Sequence, residues 1–162
     1  PELYNVIIVG KDELDITDEK LVCAFIGEAK PDLVINAAAY TAVDLAEKNI
    51  KLAYAVNALG VKYLAQACKE IVARILHIST DVIFDGACTS PYQNDTKPNP
   101  LNVYGASKLA GDLALNKILP EASVIVRTAW VYSAHGNNFV KSMLRLMQEK
   151  PQLGIIYDQV GT

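Results

Sequence analysis

Tyr104 and Lys108 stand four residues apart in the run Pro100-Leu101-Asn102-Val103-Tyr104-Gly105-Ala106-Ser107-Lys108, and Ile78-Ser79-Thr80-Asp81 lies upstream of them. On a helix, residues i and i+4 share a face, so the phenol and the ammonium can meet across one turn. A free tyrosine has a pKa of about 10 and is a poor acid-base catalyst at neutral pH. A cation beside it favours the phenolate and pulls that value toward the working range. A hydroxyl at a neighbouring strand end, such as Thr80, can hold a carbonyl while the phenol supplies the proton. With a hydride donor on the other face, such a set reduces or oxidises a carbonyl. The pair alone also fits a half-buried tyrosine and a solvated lysine on a surface helix, so its surroundings decide.

Those surroundings alternate between strands and helices. Val6-Ile7-Ile8-Val9 is an apolar run expected to form a buried strand. Thr17 or Asp18 is placed to cap a helix over 19–29 that stops before Pro31. Leu33-Val34-Ile35 predicts a second strand, ending at Asn36-Ala37-Ala38-Ala39. Residues 44–71 carry two helical stretches broken near Asn49. Ile75-Leu76-His77-Ile78 and Val124-Ile125-Val126-Arg127 predict further strands, with a proline-containing loop and the Tyr104 helix between them. A last helix is expected over 137–149, and Gly154-Ile155-Ile156-Tyr157 opens a further strand. Continuous apolar strands alternating with helices predict an α/β fold with a parallel sheet covered on both faces. Ligands of such sheets sit at the carboxyl ends of the strands. Ala37 to Ala39, Ser79 to Asp81 and Thr128 to Trp130 all fall at such ends.

The 162 residues are enough for one domain with a real core; 51% are hydrophobic and 20% charged, as in ordinary soluble α/β proteins. A net charge of −3 without a basic cluster argues against nucleic acid as a partner. Three cysteines without CxxC spacing and two distant histidines support neither a disulfide framework nor a metal site. No apolar segment reaches the ~18 residues of a membrane span and no signal pattern opens the chain, so a soluble cytoplasmic protein without a membrane partner is expected.

Taken in order, several stretches resemble the extended short-chain dehydrogenase/reductase superfamily and, within it, the dTDP-4-dehydrorhamnose reductases. They are Leu14-Asp15-Ile16-Thr17-Asp18, Pro31 to Asp44, Ser79-Thr80-Asp81 with Val82-Ile83-Phe84-Asp85-Gly86, and Pro100 to Gly105 with Ser107-Lys108-Leu109-Ala110-Gly111. Arg127-Thr128-Ala129-Trp130-Val131-Tyr132 and Gly136-Asn137-Asn138-Phe139 complete the set. The resemblance implies a Rossmann-like doubly wound parallel sheet and reduction of the 4-keto group of dTDP-4-dehydrorhamnose to dTDP-L-rhamnose by NADPH or NADH. It makes Tyr104 the general acid, Lys108 the group that binds the nicotinamide ribose and lowers the phenol pKa, and Thr80 the hydroxyl that orients the keto oxygen. It places Asp15, Ile16, Ala37, Ala38, Ala39, Asn57, Ser79, Tyr104, Lys108 and Thr128 at the cofactor, and Thr41, Val43, Val82, Trp130, Asn137 and Asn138 at the sugar nucleotide. By the same analogy a magnesium ion joins the cofactor, although no ligand set for it is visible here. The expected partners are a nucleotide sugar and a second copy of the chain.

Each assignment has a structural alternative. Ala37 to Ala39 can be small because helices pack closely, Thr80 can cap a helix, Trp130 can be core, and Asn137 and Asn138 can start the last helix. Asp15 can be a loop residue, His77 a packed one, and Asp44 with Glu47 a solvated pair. Related nucleotide-sugar epimerases or dehydratases share the Tyr-Lys pair. A non-catalytic regulatory subunit of the methionine adenosyltransferase beta type shares the fold. The segments around Trp130 and Asn137-Asn138 favour the reductase.

The sequence also departs from that pattern. Gly10 is a lone glycine, so the first strand and the Gly-rich phosphate loop are expected to be missing, with Val6 to Val9 fitting the family's second strand better than its first. The expected organisation is therefore one partial NAD(P)-binding domain over 1–162, with most of the C-terminal substrate-binding part absent. Such a chain alone should bind cofactor weakly, turn over little and tend to associate. Val82 stands where the family often has tyrosine. Gly10-Lys11 replaces the acidic residue that usually binds the adenosine ribose. A lysine there attracts the 2′-phosphate where a carboxylate repels it, so NADPH should bind more tightly than NADH. Equal dissociation constants by fluorescence titration would contradict that expectation.

Overall fold

The computed structural model describes residues 4–155. Asp18 opens helix α1 (Glu19–Ala29): its carboxylate accepts from the backbone N–H groups of Lys20 and Leu21, both at 3.0 Å. The helix ends at Lys30, whose left-handed backbone (φ 44°) still donates its N–H to the Ile26 carbonyl before Pro31 stops the chain from continuing. Strand β1 (Leu33–Asn36) follows, then short helices α2 (Val43–Ala46) and α3 (Ile50–Tyr54). The break near Asn49 expected from the sequence lies between these two. A π-helical turn (Ala55–Gly60) leads into α4 (Val61–Glu70). Strand β2 (Arg74–Thr80) runs into a 3₁₀ turn (Asp81–Ile83), and α5 (Val103–Ile118), β3 (Ser123–Thr128) and α6 (Phe139–Glu149) complete the order.

The three strands form one sheet in the order β1-β2-β3. β1 and β2 are parallel, with Asn36 opposite His77, so both carboxyl ends face the same way. The parallel α/β, Rossmann-like architecture expected from the strand-helix alternation is present. Its core lies where α1, α4 and α5 come together with β2: Val22, Ile26, Val61, Leu64, Cys68, Ile75 and Leu115 are buried in one cluster. Alternate residues of the outer strands, Leu33 and Ile35 in β1 and Val124 and Val126 in β3, stay exposed. The chain divides into two compact units, Pro1–Arg127 and Thr128–Thr162. Among the described residues no helix is long and apolar enough to cross a membrane.

Two expectations fail. Val6 to Val9 forms no strand, and Val6, Ile7 and Ile8 are exposed. An apolar run becomes a strand only where a partner edge takes its backbone N–H and C=O groups, and no described strand pairs with it. Gly154 and Ile155 carry no strand either, while Ile156 and Tyr157 lie outside the described residues.

Helix α5 approaches its neighbours closely because two of its residues lack a Cβ. A methyl group at Gly105 would collide with the Val82 carbonyl, and one at Gly111 with the Asn57 carbonyl. Backbone cannot yield as a side-chain tip can, so Gly111→Ala should cost about 1–3 kcal/mol through overpacking. Gly27 in α1 has nothing within 4 Å of the same position. Gly27→Ala should instead gain about 0.5–1 kcal/mol from helix propensity. Urea unfolding of both variants of the complete gene product checks the contrast, and equal midpoints would overturn it.

Candidate active site

Helix α5 begins at a fixed point. The side chain of Asn102 accepts from the Gly105 N–H (2.7 Å), and Glu47 Oε1 accepts from the Val103 N–H (2.8 Å). Glu47 is therefore a helix anchor rather than a purely solvated carboxylate. Tyr104 falls in the first turn, buried beside Ala46 and Ala53 with Tyr40, Val82 and Val103 around it. The Thr80 hydroxyl at the end of β2 acts on this phenol by favouring its ionised form. Thr80 also accepts from the Val82 N–H (3.2 Å), so the same hydroxyl caps the 3₁₀ turn.

Lys108, one turn further along, is only 1% exposed. Its ammonium donates to the Ile78 carbonyl (2.7 Å). The lysine head thus turns to the backbone of β2. The pKa relation expected from the sequence is accordingly different here. Burial pushes the Tyr104 phenol above its ordinary value, the Thr80 hydroxyl works against this, and the Asp81 charge adds to it. Burial also lowers the Lys108 ammonium, opposed by Asp112. A phenol held above its usual range is protonated at neutral pH, the form a general acid needs.

Asn57 is fully buried in the π-helical turn. Its Oδ1 accepts from the Tyr40 N–H (2.8 Å), and its Nδ2 donates to the Tyr40 carbonyl (3.1 Å) and to Ser107 Oγ (2.9 Å). The side chain thus ties the segment after β1 to α5. Ser107 in turn donates to the Tyr104 carbonyl (2.7 Å). Ala37 and Ala38, on that segment, are exposed at the carboxyl end of β1, and Ala39 is half-buried.

Other expected site residues are engaged locally. Asp15 accepts from the N–H (2.9 Å) and hydroxyl (2.7 Å) of Thr17, and these bonds lower its carboxyl pKa. Ile16 belongs to the core and packs where Gly60 leaves room. Ser79 is buried and donates to Asp112 Oδ2 (2.8 Å). Thr41 is exposed, and Val43 opens α2 with 37% exposure. In the second unit, Asn138 caps α6 by accepting from the Lys141 N–H (3.1 Å) and donates to the Ser133 carbonyl (2.7 Å). Asn137 beside it is exposed. Trp130 is half exposed, packs edge-on against Phe139 (5.6 Å) and holds a left-handed backbone (φ 51°). Such a conformation is strained for a bulky residue and is not that of an ordinary core tryptophan. Among the described residues, no group of three or more His, Cys, Asp or Glu could hold a metal ion.

Sequence reasoning missed the buried set behind Lys108. His77 and Asp112 are both at most 2% exposed, with His77 Nε2 and Asp112 Oδ1 3.6 Å apart. Asn36 Nδ2 lies 3.1 Å from His77 Nδ1. The signal was present in the sequence as polar residues at Asn36 and His77 inside apolar strands.

The family described as the RmlD substrate binding domain matches residues 2–162. A dTDP-4-dehydrorhamnose reductase of Aggregatibacter actinomycetemcomitans is 46% identical over 98% of this chain and 53% of its own length. A solved dTDP-4-dehydrorhamnose reductase from Clostridium acetobutylicum superposes with a TM-score of 0.96 at 43% identity, over 99% of this chain and 57% of its own. The corresponding protein of Bacillus anthracis, solved in complex with NADP, gives 0.89 at 42% identity, over 93% and 53%. The chain spans about half the length of these relatives.

Burial holds the His77 pKa down to about 3, with the Lys108 charge adding to the effect and the backbone carbonyl of Asn36 opposing it. The unfolded imidazole takes a proton near pH 6.5 and the folded one does not. The stability from this group is therefore complete above pH 6.5 and is lost as the pH falls toward 3. His77→Gln should flatten that part of the stability profile. Denaturant midpoints between pH 4 and 7 measure it, and an unchanged slope would contradict the buried neutral imidazole.

Proposed function

The chain belongs to the RmlD substrate binding domain family, and from that membership we propose that the protein carrying it reduces the 4-keto group of dTDP-4-dehydrorhamnose to give dTDP-L-rhamnose. The observation that carries the reading is that Tyr104 and Lys108, one helical turn apart on α5, and Thr80, at the carboxyl end of β2, are all buried. Relatives of this name share 42–46% identity over nearly the whole chain, which supports the reductase over an epimerase, a dehydratase or a regulatory subunit.

The residues present fit part of a nicotinamide dinucleotide. Ala37 and Ala38 form an exposed ledge without bulky side chains at the end of β1, where backbone can approach a ligand. Lys108 carries three donors, of which the Ile78 carbonyl takes one, leaving others for a ribose hydroxyl. A Gly-rich phosphate turn is not among these residues. Bound there, NADPH or NADH supplies the hydride for C4 of the sugar.

The chain's own groups handle the proton. Thr80 donates to the keto oxygen and aligns it with the phenol. Tyr104 gives its proton to that oxygen as negative charge develops, leaving a phenolate that the Lys108 ammonium stabilises. Water then restores the phenol. Asn57 and Ser107 hold the Tyr104 turn and the Ala37–Tyr40 segment at a fixed separation, so donor, acid and keto carbon meet in one geometry. Thr41, Val43, Val82, Trp130, Asn137 and Asn138 are assigned to the sugar nucleotide on this reading. Its partners are that nucleotide sugar and, in a homodimer, a second copy; its place of action is the cytoplasm.

Following NADPH oxidation at 340 nm with dTDP-4-dehydrorhamnose and the complete gene product tests the proposal. Tyr104→Phe should lower kcat by about 10²–10⁴-fold while cofactor binding persists. Undiminished turnover by that variant would remove Tyr104 from the mechanism. A folded wild-type protein that binds NADPH without turnover would overturn the reductase reading.

A further inference from the structure

Behind the reaction site lie two buried titratable groups for which the reduction itself has no use, His77 and Asp112. The hydrogen bonds of Asn36 bear on the tautomer of His77. The Ala38 N–H can only donate, and it meets Asn36 Oδ1 at 3.1 Å. Asn36 therefore presents its amide nitrogen to His77 Nδ1, 3.1 Å away. That nitrogen is a donor, so Nδ1 carries the lone pair and the ring proton of neutral His77 sits on Nε2. Nε2 lies 3.6 Å from Asp112 Oδ1 and 3.5 Å from Lys108 Nζ. An N–H cannot accept from an ammonium, so the ring does not bind Lys108 by a hydrogen bond. Its N–H suits a carboxylate.

Asp112 is 2% exposed and four residues beyond Lys108 on the same helix face. Ser79 donates to its Oδ2 (2.8 Å), while Oδ1 has no hydrogen-bond partner. A buried carboxylate oxygen in that condition is costly unless positive charge faces it, and a buried ammonium has the mirror-image need. The Lys108 charge favours the ionised form of Asp112, and Asp112 favours the ammonium.

We propose that Asp112 is the counter-ion that keeps Lys108 charged, and that neutral His77, with its proton on Nε2, is the strut between that carboxylate and the end of β1. Both are positioning residues that act through Lys108, and their kinetic consequence rests on the role given to Lys108 above. Around the pair, β2 contributes His77, Ser79 and Thr80, and α5 contributes Tyr104 and Ser107. Asp81 follows β2, β3 contributes the Arg127 charge that also favours ionised Asp112, and β1 and the π-helical turn contribute the uncharged Asn36 and Asn57. Burial pushes both members toward their neutral forms, while each opposes that push on the other. Without the carboxylate, Lys108 loses its proton at lower pH and the phenolate left on Tyr104 loses its support.

The test uses the complete gene product and two readouts. First, the backbone-assigned side-chain carboxyl ¹³C signal of Asp112 is titrated in the wild type. An ionised carboxylate at pH 7 is expected, and one still protonated there overturns the proposal. Second, kcat is followed against pH for wild type, Asp112→Asn and Asp112→Glu, with thermal unfolding in parallel. Asp112→Asn should move the alkaline limb to lower pH by about one unit or more, and Asp112→Glu should restore it. A folded Asp112→Asn whose limb overlays the wild type overturns the proposal. If that variant does not fold, the wild-type titration decides. A wild type without turnover defeats the reductase reading, and the carboxyl titration then decides on the counter-ion alone.

Discussion

Burying the ammonium of Lys108 is the constraint around which the rest of the site is arranged. A cation taken out of water needs an acceptor and a compensating charge. The Ile78 carbonyl supplies the first at 2.7 Å, and Asp112 raises the lysine's pKa against the burial that lowers it. The second comes from α5 itself, four residues on; the first is available only because α5, packed on the π-helical turn, lies close to the end of β2. That closeness depends on Gly105 and Gly111, where any Cβ would meet the carbonyls of Val82 and Asn57. The start of α5 is set from outside the helix by Glu47 and from its edge by Asn102. With start and approach both fixed, Tyr104 and Lys108 have little freedom in where they stand.

The same burial sets the electrostatic character of the site. It raises Tyr104 and Asp112 and lowers Lys108 and His77, so every group is pushed toward its neutral form. Hydrogen bonds and charges then select among them. Thr80 moderates the phenol, Ser79, Lys108 and Arg127 moderate Asp112, and His77 remains neutral as a spacer. A site poised this way keeps the Tyr104 phenol protonated, with Lys108 one helical turn away.

Much of this was legible in the chain. Asp18 before an apolar periodic run, with Pro31 after it, marked α1 to the residue, because a cap and a breaker act through local backbone bonds. The Tyr104–Lys108 spacing placed both side chains on one helix face for a similarly local reason. Val6 to Val9 was misread because a strand is completed by its neighbour, and its own residues do not encode whether one is present. The left-handed backbone of Trp130 likewise depends on surroundings that a residue type does not announce. Glu47 read as a solvated carboxylate since its partner, the Val103 N–H, lies 56 positions away.

The sequence by itself determined the α/β alternation, the bounds of α1 and the placing of Tyr104 and Lys108 on one helix face, since each is written in contacts a few residues long. Only the tertiary structure decided that the phenol is buried and that the ammonium turns to Ile78. It alone joined Asn36, His77, Ser79 and Asp112 into one buried cluster. Burial and through-space charge belong to residues brought together across the chain, and desolvation is a property of the place a side chain occupies.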